Sequence, residues 1–260
     1  MKLEALTTHL AKDMSIKKVC IIAQNYAYGQ QIRKSAREYL AKKRPGITIV
    51  GDDLHPIGQV KDFSPYIAKI KASGADVVLM GNWGPDFTLL VKAAKEAGLN
   101  TPLHAFSAIQ YGAPTPVGES GVGRLFSIFP WHANNEGFQG VDYVDAYKKK
   151  HNEDFFIMSS RTIFTMMGQA IRNTKSVDPV KVAFALEGMK IDGPVGQIEM
   201  RKEDHQVQQP LYLLSWDKVN GKDVKYDMEN TGFEWKTVKK IDAYVAAQPT
   251  SCQMKRPARS

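Results

Sequence analysis

KKVCIIAQNYAYGQ, residues Lys17–Gln30, joins an apolar β-branched run to an amphipathic one through a loop with two tyrosines and an asparagine. "KKVCIIA" reads as a strand whose apolar residues are continuous rather than alternating, the pattern of a strand covered on both faces. From Gln30 to Lys43, Ile32, Ala36, Tyr39 and Leu40 recur at helical spacing. A strand that passes to a helix through "QNYAYG" opens a βαβ unit, and the chain repeats that unit as far as Phe106.

"GITIVG" supplies the second strand, and Phe63, Ile67 and Ile70 mark a helix after it. "ADVVLM" is the third strand, followed by a helix marked by Phe87, Leu90, Val91 and Ala94 that ends at Gly98; "TPLHAF" is the fourth strand. Because parallel crossovers are right-handed, this order predicts an α/β fold with a doubly wound parallel sheet from about Lys17 to Phe106. The start, "MKLEALTTHLAKDM", is an amphipathic helix with Leu3, Leu6 and Leu10 on one face.

After Ser107 the rhythm changes. A Gly/Pro-rich loop, "SAIQYGAPTPVGESGVG", leads to the strand "RLFSIF" and then to helices marked by Tyr143 and Tyr147, by Ile163, Met166, Met167, Ala170 and Ile171, and by Val180, Ala183 and Leu186. The two methionines read as core filling. "VGQIEMRKEDHQVQQPLYLLSW" is expected to form a hairpin with "RKEDH" at its turn, and Val238 to Ala246 a short helix. The helices between Asp142 and Glu187 have no strands among them, so they form a helical subdomain or lack a partner layer.

Composition narrows the functional classes. A chain of 260 residues with 43% hydrophobic content is an ordinary globular protein of one large or two small domains. Its net charge of +8 does not point to nucleic acid, because the basic residues lie among acids along amphipathic helices, as in "YVDAYKKKHNED", and a basic tail, "QMKRPARS", adds to the total. No apolar run approaches the ~20 residues that span a bilayer. Cys20 reads as a buried small hydrophobe, and Cys252 sits in the polar tail.

The loops that leave the parallel strands are where an open α/β sheet binds ligands. "QNYAYG", "GNWGPD" and "SAIQYG" each carry an aromatic residue, and two carry an asparagine. Singly, Tyr28 and Trp83 would be sheet-edge caps, and Asn25 and Asn82 turn residues. Three such loops at one rim favour a small organic ligand, part apolar and part polar.

Catalytic, metal and cofactor motifs are absent: no G-x-S-x-G, H-E-x-x-H, P-loop or dinucleotide fingerprint occurs. The six histidines are scattered: His55 and His132 read as loop residues, His104 as a core residue within a strand, and His205 as part of a hairpin turn. Asp52 and Asp53 are adjacent in a strand and so face opposite sides. An α/β enzyme using Asp53 and His55 is the weaker alternative.

Four runs, "VCIIAQNYAYGQ", "KDFSPYIAKIKASGADVVLMGNWGPDFTLLVKAAKEAGL", "GVGRLFSIFPWHANN" and "GPVGQIEMRKEDHQVQQPLYLLSW", together resemble the periplasmic leucine/isoleucine/valine-binding protein family, the substrate-binding component of branched-chain amino-acid ABC transporters. The resemblance extends from Met1 to about Trp216. Members begin with a signal peptide and an N-terminal α/β lobe, so it implies a truncated member with the type I periplasmic binding protein fold.

On that resemblance, residues 1–16 are a helix entering the second lobe, and 17–124 that lobe's α/β layer. Residues 125–192 are a crossover strand and helices that normally pack on the absent first lobe, 193–250 return to the second lobe, and 251–260 are the basic tail. The apolar faces of Ile163, Met167 and Ile171 would then be exposed or buried in a dimer, leaving the chain weakly stable.

The resemblance implies a periplasmic solute-binding protein that delivers a small ligand to ABC permease subunits, with no cofactor and no covalent chemistry. Its ligand contacts would be Asn25, Tyr26 and Tyr28, then Asn82 and Trp83, then Phe106 and Ser107. Amino-acid-binding members place a carboxylate just after the fourth strand to meet the ligand's ammonium group, and here that position is Ser107. A buried ammonium without a counter-charge is costly, so an aromatic or aliphatic carboxylate competes with an amino acid as the ligand. A ligand-sensing domain of a receptor or regulator with the same fold is the other reading.

Overall fold

Successive residues of the first strand divide between two cores, which is why its apolar run does not alternate. In the computed structural model, which describes residues 1–250, 252–253 and 255–258, β1 (Lys18–Gln24) sends Cys20 and Ile22 to one face and Val19 and Ile21 to the other. β3 (Val77–Gly81) does the same with Val78 and Met80 against Val77 and Leu79.

One face is covered by α1 (Lys2–Leu10) and α2 (Ala27–Lys43), which bury Leu3, Leu6, Leu10, Ile32, Ala36 and Leu40. The other is covered by α3 (Ser64–Ser73) and α4 (Gly84–Glu96), which bury Ile67, Ile70, Phe87, Leu90 and Val91. A partly buried ion pair between Lys43 Nζ and Glu4 Oε1, 2.7 Å apart, fixes α1 against α2.

With β2 (Thr48–His55), β4 (Leu103–Ala105) and β5 (Leu125–Phe129), the first five strands run parallel in the order β2-β1-β3-β4-β5. The doubly wound parallel layer is therefore present as expected. Opposite β1 the register of β2 slips by one residue, placing Gly51 against Cys20, where an added Cβ would lie 2.5 Å from the Cys20 sulfur. Asp52 and Asp53 do face opposite sides: Asp52 pairs with Arg33 and Arg37 of α2, and Asp53 with Lys69 of α3.

Several expectations are corrected. Leu125–Phe129 does not lead out of the layer but is its fifth strand. The segment from Val238 onward is not a helix: β10 (Phe233–Ile241) is a strand at the sheet's edge, paired antiparallel with β9 (Leu211–Lys218), which pairs antiparallel with β5. Nor do the two long strands of the supposed hairpin pair with each other. β7 (Gly196–Met200) pairs with β6 (Lys190–Gly193) and, across the "RKEDH" turn, with β8 (Val207–Gln208), making a separate small sheet.

The remaining elements are a short α5 (Pro114–Val117), then α6 (Val141–His151), α7 (Met158–Thr174) and α8 (Pro179–Leu186). The small sheet gives α7 a partial partner, because Met166 is fully buried against Ile198 and Met200. Met167, expected in the core with Met166, is exposed, as is Ile163, whereas Ile171 is half-buried. Phe164, which the periodicity did not flag, is 73% exposed.

Phe164→Ser is expected to shift stability by less than about 0.5 kcal/mol, as surface substitutions do, and to reduce binding of an apolar dye. A loss above ~1 kcal/mol in thermal melts would show that this face is covered in solution. No helix among the described residues is long and apolar enough to cross a membrane.

Candidate functional site

Chain order reverses where β1 lies beside β3, so α2 and α4 depart to opposite faces and their connecting loops part at the carboxyl edge of the sheet. A crevice at such a switch point is the usual ligand site of open α/β sheets. Tyr26 and Trp83 occupy equivalent places there. Each is the extended residue just before a helix, and neither helix takes a side-chain cap from it. Trp83 Nε1–H donates to Tyr26 Oη at 2.7 Å, bridging the crevice.

The loop "QNYAYG" is shorter than its sequence indicates. α2 starts at Ala27, which places Tyr28 and Gly29 in its first turn. Gly29 is required there, because a Cβ at that position would lie 1.9 Å from the Gln24 carbonyl oxygen. Tyr28 Oη and Ser107 Oγ are 3.0 Å apart, tying the first loop to the one after β4, and the Tyr26 and Tyr28 rings have centroids 6.0 Å apart. Burial pushes the Tyr28 phenol above its ordinary pKa, and the Ser107 hydrogen bond partly offsets this. Asn25 is exposed; its Oδ1 accepts from Gln30 Nε2 at 3.1 Å.

The other expected contacts face inward. Asn82 is fully buried and its amide lies 2.7 Å from His55 Nε2, while His55 Nδ1 is 3.1 Å from the Pro56 carbonyl. That pairing puts the proton on Nδ1 and makes Nε2 the acceptor. His55 is therefore a buried strand-end residue, not a loop residue; its ring packs edge-on against Phe63 and Tyr66. His132 is likewise buried, 2.6 Å from Thr237 Oγ1, and His104 is a core residue stacked on Phe126. The Phe106 side chain belongs to the core beside α1 and α2.

Beneath the crevice, Gln24 Nε2 donates to the Trp83 carbonyl at 3.1 Å and to Asp86 Oδ2 at 2.7 Å, and the Gly58 N–H donates to the same Asp86 oxygen at 2.8 Å. Asp86 is thus a buried carboxylate already held by two donors in the first turn of α4. The Gln24 Oε1 and Asn82 Oδ1 acceptors are buried without a partner among the described residues.

One residue of this rim was missed. Lys2 Nζ donates to the Phe106 carbonyl at 2.8 Å and sits 3.8 Å from the centroid of the Phe129 ring, between the carboxyl ends of β4 and β5. Burial pushes its ammonium down to about 7, with no carboxylate among the described residues offsetting it. Nothing local in "MKLEAL" signals this, because the surroundings come from residues more than 100 positions away.

An aromatic crevice floored by amides, at the switch point of a doubly wound sheet, is the arrangement in which α/β proteins commonly place a small-molecule site. Residues 1–223 match the family model described as periplasmic binding protein, and the chain belongs to that family. It is 30% identical over 246 residues to Leu/Ile/Val-binding protein homolog 4 of Brucella abortus (strain 2308), covering 91% of this chain and 57% of that relative.

Among solved structures, it superposes with a TM-score of 0.83 on the leucine-, isoleucine-, valine-, threonine-, and alanine-binding protein from Brucella ovis in its closed conformation. The two are 26% identical, over 98% of this chain and 65% of that one. A solute binding protein of an ABC transporter from Rhodopseudomonas palustris BisB5, in complex with 3,4-dihydroxy benzoic acid, shares the fold at a TM-score of 0.76 and 20% identity, over 93% of this chain and 64% of that one. The chain therefore spans little more than half the length of the Brucella abortus relative.

Proposed function

We propose that the carboxyl-edge crevice forms one wall of a solute site, and that the chain acts in the periplasm as the binding component of an ABC importer, handing a small amino acid or carboxylate to membrane permease subunits. The observation that carries this reading is the Trp83–Tyr26 bridge across the β1/β3 switch point. Family membership supports it, and so do the names of the Brucella relatives, which are those of binding proteins. In this proposal Tyr26, Tyr28, Trp83, Ser107 and Asn25 face the ligand, and Asn82 and Phe106 support those loops from beneath.

Titration calorimetry with leucine, isoleucine, valine, benzoate and short aliphatic acids tests it. At least one of them is expected to bind, and Trp83→Ala to weaken that binding by ~30-fold, about 2 kcal/mol, as for an exposed aromatic that the ligand covers on binding. Equal affinity of the variant would remove Trp83 from the site. Failure of the whole panel would defeat the solute reading.

A further inference from the structure

We propose that the crevice takes a small carboxylate carrying no ammonium group, and that Lys2 is the side chain that selects it; the proposal rests on the reading of this rim as a solute site. The argument is one of charge. Lys2 Nζ reaches the rim from α1, one peptide unit from Ser107, because its partner is the carbonyl of Phe106. Phe129, whose ring it covers, is the last residue of β5. An ammonium has three donors, and the Phe106 carbonyl takes one.

Lys2 also lines a cavity of about 190 Å³ with Phe129, Pro130, Ser159 and Leu211. The first turns of α2 and α4 open onto the same edge without a side-chain cap from Tyr26 or Trp83, and a helix N-terminus adds positive potential.

Against these positive groups stands one carboxylate in the described contacts of the crevice, Asp86, buried and occupied by Gln24 and Gly58. Ser107 presents a hydroxyl engaged with Tyr28. The orphaned Gln24 and Asn82 oxygens are neutral amide acceptors, suited to a hydroxyl and supplying no counter-charge. An amino acid would set its ammonium beside Lys2 with no free carboxylate among the described residues to receive it, whereas a bare carboxylate would pair with the half-buried lysine. Burial lowers the Lys2 pKa, and no carboxylate among the described residues offsets it.

The test is calorimetry on the 260-residue chain with 4-methylpentanoate, its amide, leucine, isoamylamine and benzoate, which separate the two charges on similar apolar bodies. The 4-methylpentanoate is expected to bind at least tenfold tighter than leucine, and isoamylamine not measurably. Lys2→Met, which keeps an apolar stem over Phe129, is expected to weaken 4-methylpentanoate at least tenfold without changing affinity for the amide, and Lys2→Arg to restore most of the loss.

Leucine binding as tightly as 4-methylpentanoate, or a Lys2→Met variant that loses acid and amide alike or neither, overturns the inference and leaves the solute reading standing. A wild-type chain that binds none of the five overturns both.

Discussion

Gly29→Ala is expected to destabilise the protein by about 3 kcal/mol, the upper range for overpacking a filled site, and to lower the melting midpoint by roughly 6–12 °C for a chain of this size. The sign is the informative part. Within a helix, glycine to alanine normally stabilises by up to about 1 kcal/mol. At Gly29 the new methyl would meet the Gln24 carbonyl oxygen at 1.9 Å and its carbon at 3.0 Å, backbone atoms at the end of β1 that cannot swing aside as a side chain would. Gly168, in the middle of α7, is the control, because its nearest neighbour is the flexible end of Arg172 at 3.5 Å. Gly168→Ala should melt at or above wild type and Gly29→Ala well below it; melts that show no difference between the two would refute the close packing of α2 on β1.

Trp235→Ala should cost about 3–5 kcal/mol, the range for deleting a fully buried tryptophan. Trp235 is 1% exposed and meets the Trp216 ring edge-on, with centroids 5.1 Å apart. Both lie in the core on the α3/α4 side of the sheet, so β10 is part of the main cooperative unit and not an appended segment. Urea unfolding would read the loss as a lower midpoint with an unchanged slope. A cost below ~1 kcal/mol would mean that β10 is peripheral, whatever its pairing with β9.

The strands and helices up to Phe106 were legible because each is bounded by loops and shows one clear periodicity. Beyond that, legibility failed where pairing depends on distant chain. Val238 and Ile241 fall at helical spacing because the β10 register slips between Thr237 and Lys239, resetting the alternation that would have marked a strand. "VGQIEM" and "PLYLLSW" look like two arms of one hairpin, yet the second is drawn away because β5 and β10 pair with it along both of its edges.

Aromatic residues in the loops were enough to place Tyr26 and Trp83 at the carboxyl edge of the sheet. The inward turn of Asn82 was not readable, because it depends on His55 arriving at the end of a strand that sequence pattern ended early. Lys2 was invisible for the same reason: a lysine near the start of an amphipathic helix reads as solvated unless the ends of β4 and β5 are known to close over it.

The insertion of β9 beside β5 also governs how the molecule is made. β5 is complete at Phe129, but the strand that satisfies its outer edge begins at Leu211. At roughly 5–20 residues per second, a ribosome needs roughly 4–16 s to supply the intervening ~80 residues. A sheet that forms before those residues are available presents an unpaired strand edge with Leu125 and Ile128 still to be covered, a template for mispairing. Until its last two strands are in place the sheet is incomplete, and in whatever compartment the chain folds, the outer edge of β5 is where a wrong strand can add.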